Sequence, residues 1–213
     1  LKCDVRKFFD SIDHEILLTF LSKRIRDKDT MWLLQEIVGS FSASQTNLFH
    51  RQGLPIGNLT SQLFANVYMN KLDQFVKHEL KIKHYVRYTD DFIILSNTDK
   101  DFVDILKKIK CFLKEEISLE LHPHKVEIRK LHRGIDFLGY IIFPHYKLPR
   151  VKTRRRLVRK LHIKRLKKLQ LEEKIEEITI KQALHSYLGL LSHANAYKFS
   201  EDLKNKLWFW LNE

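Results

Sequence analysis

One tetrapeptide constrains the fold of this chain more than any other feature: Tyr88-Thr89-Asp90-Asp91. It stands between two short apolar runs, at 85–88 and 92–95, which predict a hairpin with the acidic pair at its turn. A further carboxylate, Asp4, lies far upstream in a predicted strand over residues 2–9. Only folding can bring the three carboxylates together, so the sequence predicts a sheet that joins these two segments.

Three converging carboxylates indicate a metal site. Two carboxylates about 4 Å apart, at an effective dielectric constant near 20, repel each other by on the order of 4 kcal/mol, and a divalent ion removes that repulsion. Such a cluster suits two Mg²⁺ ions for phosphoryl transfer. The competing interpretation is that Asp90-Asp91 is only a polar turn, which an isolated pair would favour.

The net charge predicts an anionic partner. The 213 residues carry a formal charge of +13 and a pI near 9.7, which points to nucleic acid. With 44% hydrophobic residues the chain can bury a core. No apolar run approaches the ~20 residues of a spanning helix, and the start of the sequence has no signal segment. We therefore predict no membrane partner and a cytoplasmic location, with Cys3 and Cys111 as reduced core residues.

The order of periodic segments predicts an α+β fold with a mainly antiparallel sheet, followed by a helical region. Ser11 or Asp13 is expected to cap the first helix. Further helices are predicted over 31–39, from about Thr60, over 99–116, 180–196 and 200–211. Further strands are predicted over 84–96, 119–121, 125–130, 135–138 and 140–143. Two prolines, Pro144 and Pro149, mark the change from the α+β region to the helical region.

A basic stretch without any acidic residue runs from Phe137 to Leu171. Cations on one helix that neutralise phosphates predict salt-dependent nucleic-acid binding, although a Lys/Arg helix can also be a solvated face. The residues assigned to this role are Arg154, Arg155, Arg156, Arg159, Lys160 and Lys164. Trp208, Phe209 and Trp210 are interpreted as core or partner surface rather than as stacking platforms for bases.

Five segments occur in the order of the reverse-transcriptase motifs A to E, and together they carry a resemblance to that family. They are Asp4 to His14, Gln52 to Gln62, Tyr88 to Asp91, Leu119 to Lys125, and Asp136 to Tyr140. The chain resembles the branch that contains retron, group II intron and diversity-generating retroelement enzymes. Ile56 and Ser61-Gln62, where most relatives have Gln and Ser-Pro, make it similar to the diversity-generating type.

The resemblance implies a fold and an activity. It implies a right-hand polymerase palm over residues 1–145, an antiparallel sheet backed by helices, and a small all-helical, basic thumb over 146–213. The implied activity is error-prone copying of template RNA into cDNA. The fingers that precede motif A are expected to be missing, which leaves the activity of the fragment alone open. The alternatives are a retron or group II intron-type enzyme, or a non-catalytic RNA-binding module that kept the fold.

The resemblance also implies the catalytic ligands and the partners. Asp4 and Asp90 are the implied principal ligands of two Mg²⁺ ions, or of Mn²⁺, with Asp91 beside them and the Val5 carbonyl completing one shell. The implied partners are template RNA, primer, cDNA and deoxynucleoside triphosphates, with a basic accessory protein as an optional one.

Four residues are implied to contact the incoming nucleotide. Phe9 matches the steric gate against a 2′-hydroxyl, with a core aromatic as the alternative. Ile56 replaces an amide that contacts the nascent base pair, and Gly57 lies beneath the nucleotide. Lys125 matches a proton donor to pyrophosphate, with solvated surface as the alternative. The implied primer grip is Phe137, Leu138, Gly139 and Tyr140.

Overall fold

The computed structural model describes residues 1–41, 51–96, 101–161, 177–206 and 208. The chain divides into two compact units, Leu1–Ile128 and Arg129–Glu213. The predicted boundary between palm and thumb, after residue 145, lies inside the second unit and stays a prediction. Lys164, Phe209, Trp210 and the predicted helix start at Asp99 lie outside the described residues.

The first unit combines a small sheet with packed helices. Its strands are β1 (Lys2–Asp4), β2 (His84–Tyr88) and β3 (Asp91–Leu95). Its helices are α1 (Phe8–Ser11), α2 (His14–Ser22), α3 (Lys28–Gly39), α4 (Leu59–Gln74) and α5 (Asp101–Ile117), and α4 continues into a π-helix over Phe75–Glu79. The predicted hairpin, the helix that ends at Gly39 and the helix near Thr60 are confirmed.

The sheet has the strand order β1-β3-β2, and both pairs are antiparallel. Opposite residues share a face, so the buried pair Cys3 and Phe92 faces the core while Asp4 and Asp91 share the other face. Behind the sheet, Tyr68 of α4 is fully buried, and its hydroxyl donates to the Ile117 carbonyl at the end of α5. The sheet thus has the carboxylates on one face and a packed core behind the other.

Three strand predictions are wrong. The strand predicted over 2–9 ends at Asp4, because Lys7 takes a left-handed conformation with φ of 43° and α1 follows. The segments 119–121 and 125–130 form only single bridges, Leu121 to Val5 and Glu127 to Lys2. A turn around Pro123, closed by the Lys125 amide on the His122 carbonyl, separates the two bridges.

Asp13 rather than Ser11 caps α2. Its Oδ1 accepts hydrogen bonds from the amides of Glu15 and Ile16, at 2.9 and 3.1 Å. Both cysteines are free thiols, as predicted, but only Cys3 is a core residue. Burial raises the pKa of the Cys3 thiol to about 12, whereas Cys111 is exposed on α5, so its predicted core position is wrong.

The second unit pairs a three-stranded antiparallel sheet with helices. Its strands are β4 (Ile135–Phe137), β5 (Tyr140–Ile142) and β6 (Lys147–Pro149), preceded by a 3₁₀ turn over Leu131–Arg133. Its helices are α6 (Val151–Lys160), α7 (Glu177–Ser192) and α8 (Tyr197–Lys206), packed on a core that includes Leu157, Leu184 and Leu203. The pattern of the sequence does not predict β6. No helix in the described part of the chain is both long and apolar enough to cross a membrane.

Candidate active site

The structure brings the three predicted carboxylates together at one end of the first sheet. Asp4, the last residue of β1, lies opposite Asp91, the first residue of β3. The Val5 amide donates to the Asp90 carbonyl at 3.3 Å, so the turn before β3 is joined to the end of β1. The end of β1 and the start of β3, which carry these carboxylates, are therefore adjacent, and their role as a metal site stays a prediction.

Asp91 is held in an electrostatically costly position. Its pKa is raised, chiefly by burial, and the neighbouring charges of Asp4 and Asp90 raise it further. The Lys2 ammonium, 3.6 Å from Oδ2, opposes this shift. Oδ1 of Asp91 is buried and has no hydrogen-bond partner among the described residues. A buried carboxylate oxygen without a donor suits a divalent cation.

Lys125 lies directly on Asp4. Its Nζ is 3.0 Å from both Asp4 carboxylate oxygens, although the two residues are far apart in sequence. The Asp4 side chain is only 15% exposed, and Lys125 places a positive charge in direct contact with it. Lys125 therefore belongs to the carboxylate cluster, and its role as a proton donor stays a prediction.

Asp90 is held by its own turn. Thr89 takes a left-handed conformation with φ of 53°, and its hydroxyl donates to Asp90 Oδ1 at 2.8 Å. Within the described ranges, no group of three or more His, Cys, Asp and Glu side chains is arranged as a metal site. The chemistry of the donors nevertheless fits Mg²⁺ or Mn²⁺, because carboxylates and the Val5 carbonyl are hard oxygen ligands.

Backbone hydrogen bonds join the predicted nucleotide-binding segments. The Leu54 amide donates to the Phe9 carbonyl and the Gly53 amide to the Ile12 carbonyl, each at 2.8 Å. The buried His14 ring contacts the Gly53 carbonyl at 2.7 Å, which braces the loop. The loop that leads to residues 56 and 57 is therefore fixed beside Phe9.

Residues 56 and 57 of that loop face open space. Ile56 is 81% exposed, an unusual position for a large aliphatic side chain. Gly57 has φ of 104° and nothing within 4 Å of the place of a Cβ, so glycine is required there by its backbone conformation. Phe9 is half-buried, with its ring edge-on to Phe8 at 5.3 Å. Phe9 can therefore pack against Phe8 and still present part of its ring to a ligand.

The predicted primer-grip residues divide into two pairs. Phe137 is buried and the Tyr140 hydroxyl donates to the Leu190 carbonyl at 2.9 Å, so these two hold the second unit together. Leu138 and Gly139 form the exposed β4–β5 turn, both with positive φ. Only the turn residues are placed to meet a ligand.

The predicted basic residues on α6 also divide. Arg155, Arg156 and Arg159 are exposed and line a groove of about 840 Å³ that Gly139 also borders. Arg154 instead places its guanidinium over the Phe199 ring of α8, at 4.8 Å. Lys160 is exposed at the end of α6. The groove residues are therefore the strongest candidates for phosphate contacts.

Sequence reasoning missed three charged residues around the carboxylates: Lys2, Asp73 and Arg87. The signal for Arg87 is its place in the hairpin strand, where it lies opposite buried Phe92 on the core side. A charge at such a position needs a partner, and Asp73 of α4 supplies it. Lys2 offers no comparable signal.

Comparison with known proteins identifies a family. Residues 1–142 match the family model described as reverse transcriptase (RNA-dependent DNA polymerase). The chain is 25% identical over 197 residues to the putative COX1/OXI3 intron 2 protein of Saccharomyces cerevisiae, covering 66% of this chain and 23% of that protein. It is 24% identical over 203 residues to the group II intron-encoded protein LtrA of Lactococcus lactis subsp. cremoris, covering 65% and 34% respectively.

A solved structure shows the same fold. Telomerase from Candida albicans, in complex with a TWJ fragment of telomeric RNA, matches with a TM-score of 0.51 and 14% identity. The match covers 98% of this chain and 42% of that chain. The predicted mixed fold with antiparallel sheets is thus confirmed. The chain spans less than half the length of each of these proteins.

Proposed function

This chain belongs to the reverse transcriptase family, and on that premise we propose that it is the palm and thumb of an RNA-directed DNA polymerase that copies template RNA into cDNA. The observation that carries the proposal is the convergence of Asp4, Asp90 and Asp91 at one end of the β1-β3-β2 sheet. Family membership alone would not require an intact carboxylate cluster.

The carboxylates perform the central task, which is to hold cations. Two Mg²⁺ or Mn²⁺ ions, when bound, would supply activation of the primer 3′-hydroxyl and neutralisation of the charge on the leaving pyrophosphate. Asp4, Asp90, Asp91 and the Val5 carbonyl would hold them. Lys125 balances the charge of Asp4 before cations bind, and the packed core beneath the sheet keeps the ligands in place.

The loop beside Phe9 suits nucleotide selection. Phe9 blocks a 2′-hydroxyl, Ile56 lies against the nascent base pair, and Gly57 lets the nucleotide approach the backbone. Their support is the hydrogen-bonded junction between the Leu54 amide and the Phe9 carbonyl. Template, primer and cDNA contact the exposed arginines of α6 and the turn at Leu138 and Gly139. We further propose a cytoplasmic location, where RNA and deoxynucleoside triphosphates are available, and a basic accessory protein as an optional partner.

We make a finer proposal about the kind of retroelement that this enzyme serves. Ile56, which cannot hydrogen-bond, supports an error-prone diversity-generating enzyme, because one lost hydrogen bond of about 0.5–1.5 kcal/mol relaxes selection by roughly tenfold at most. The similarity to the group II intron-encoded protein LtrA instead supports an intron-type enzyme. Ile56→Gln separates the two: the first type predicts fewer misincorporations opposite template adenine, and the second predicts no change.

Primer extension tests the activity itself. The full natural protein that carries this chain is incubated with an RNA template, a DNA primer, deoxynucleoside triphosphates and Mg²⁺. We expect extension by the wild type, none by the double variant Asp90→Asn and Asp91→Asn, and normal extension by Asp29→Asn, which alters an exposed carboxylate on α3. Extension by the double variant would contradict the proposal, and RNA binding without any extension by the wild type would favour a binding module.

A further inference from the structure

A partly buried ion pair joins β2 to α4 next to the acidic turn. Arg87 of β2 donates from Nε and Nη2 to the two carboxylate oxygens of Asp73 on α4, at 2.7 and 2.6 Å. The Arg87 side chain is only 10% exposed. The Tyr85 hydroxyl donates to the same carboxylate at 2.8 Å. Buried charges of this kind require such geometry, because desolvation otherwise outweighs their attraction.

The same guanidinium reaches the acidic turn. Nη1 of Arg87 donates to the Thr89 carbonyl at 2.9 Å and lies 3.3 Å from Asn66 Oδ1. Thr89 is β-branched, yet its φ is 53°, a conformation that such residues rarely adopt. A conformation of this kind persists only where the surroundings impose it. Arg87 is therefore one group that holds the turn.

The Thr89 carbonyl belongs to the peptide unit that carries the Asp90 amide, so fixing this carbonyl fixes the direction in which Asp90 leaves the turn. On the other side, the Val5 amide holds the Asp90 carbonyl. Asp90 is thus held by a hydrogen bond from the Val5 amide, which follows β1, and through Thr89 and Arg87 by the ion pair with α4. Arg87 touches no reacting group, and its effect on the site passes through Thr89.

We propose that Arg87, braced by Asp73, is a positioning residue that holds the Thr89-Asp90 turn in the conformation that presents the Asp90 carboxylate for cation binding. The inference rests on the proposed function of that carboxylate. Arginine is required because its planar fork contacts Asp73 with two nitrogen atoms and leaves a third for Thr89. A lysine keeps the charge but has a single nitrogen and loses this geometry.

Arg87→Lys in the full natural protein is the principal test. Loss of a group that orients a metal ligand typically costs about 10–100-fold in metal affinity or activity. We expect the Mg²⁺ concentration for half-maximal primer extension to rise by about that factor, while the KM for primer–template stays unchanged. Mn²⁺ affinity, measured by electron paramagnetic resonance without any reaction, should fall in parallel. The melting temperature confirms that the variant is folded.

Two further variants keep the test decisive. Asp73→Asn, which removes the charge that braces Arg87, should shift both readouts in the same direction, and it decides the question if Arg87→Lys does not fold. Tyr85→Phe removes a hydrogen bond to Asp73 without touching the turn, and should leave both readouts within about threefold of wild type. Wild-type Mg²⁺ dependence and Mn²⁺ affinity in the folded Arg87 or Asp73 variant would overturn the inference, as would an equal loss in Tyr85→Phe.

The proposed function and this inference fail in different ways. A wild-type protein that never extends a primer contradicts the polymerase proposal, but its Mn²⁺ titration against Arg87→Lys still tests whether Arg87 positions the site. A wild-type protein that extends primers, with variants that show no change in cation dependence, contradicts only the role of Arg87.

Discussion

The carboxylate site of the first unit and the arginine groove of the second unit achieve their charge in opposite ways. Asp4, Asp90 and Asp91 come from distant parts of the sequence and meet on a packed sheet, where burial raises the pKa of Asp91. Arg155, Arg156 and Arg159 come from neighbouring positions of one helix and stay exposed. The first site depends on the fold, whereas the second depends mainly on composition.

The difference sets what each site can do. Charged groups that lie on a packed, poorly polarisable protein core interact strongly, and the strength depends on their exact geometry. Such a site suits the binding of cations at a reacting bond. Exposed arginines interact weakly one by one, and salt screens them, which suits a long polyanion held at several points. Changes at the first site should therefore alter chemistry, and changes at the second should alter binding.

The largest expected effect is at the carboxylates. Asp4→Asn should lower primer extension by on the order of 10³-fold, comparable to the loss of a group that stabilises charge in a transition state. Affinity for primer–template, measured by fluorescence anisotropy without nucleotide, should stay within about threefold of wild type, since Asp4 pairs with Lys125 and does not line the arginine groove. A large loss of primer–template affinity in Asp4→Asn would contradict the assignment of binding to the arginine groove.

The next effect is on the salt dependence of binding. Each phosphate contact contributes about 0.7 to 0.9 to the slope of log affinity against log salt. Replacing Arg155, Arg156 and Arg159 by Gln should therefore reduce the slope by roughly 2 to 3, with kcat unchanged at saturating primer–template. Lys206→Gln, at an exposed lysine paired with Asp202, is the matched control. An unchanged slope in the triple variant would identify α6 as a solvated face.

Removal of a carboxylate charge from the acidic site should raise the stability of the fold, whereas it lowers activity. Asparagine keeps the shape of the Asp91 side chain but removes its charge, which burial and the neighbouring Asp4 and Asp90 disfavour, and the partial exposure of Asp91 keeps that cost small. Without divalent ions at neutral pH, Asp91→Asn should gain about 1 kcal/mol, or roughly 2–4 °C in Tm for a domain of this size.

The pH dependence has a definite sign. The raised pKa of Asp91 means that the folded state holds this proton more tightly than the unfolded state, so the cost is present above the raised pKa. The advantage of Asp91→Asn should shrink as the pH falls through that pKa. An advantage that grows on acidification, or equal stabilisation by Asp29→Asn, would contradict the assignment.

The smallest expected effect separates the arginines of α6. Arg154 lies over the Phe199 ring, an interaction worth about 0.5–1 kcal/mol at exposed sites. Arg154→Gln should lower the free energy of unfolding by about that amount, while Arg155→Gln should change it by less than about 0.5 kcal/mol. Urea titration of both variants provides the measurement. Equal costs would place Arg155 in the packing as well.

The sequence predicts the parts of this structure that depend on local pattern. The hairpin and the helix that ends at Gly39 follow from periodicity and turn residues. The failed strands at 119–121 and 125–130 have strand-like composition, but their pairing is limited to single bridges that composition does not determine.

The contacts that complete the site were beyond prediction for the same reason. Lys125 contacts Asp4, which lies 121 residues earlier in the sequence. Arg87 of a strand contacts Asp73 of a helix. Such pairs depend on how elements pack, because side-chain periodicity indicates which face is buried but not which partner lies there. The division of the α6 arginines likewise depends on where Phe199 lies.

The number of bound cations shows whether Asp4, Asp90 and Asp91 hold metal ions. The full natural protein, with primer–template and a non-hydrolysable deoxynucleotide, is titrated with Mn²⁺ and the bound ions are counted by electron paramagnetic resonance. We predict two ions per molecule in the wild type and in Asp29→Asn, and fewer than two in Asp4→Asn and Asp90→Asn. Equal binding by the wild type and both site variants would contradict the account, because the three carboxylates would then hold no cation.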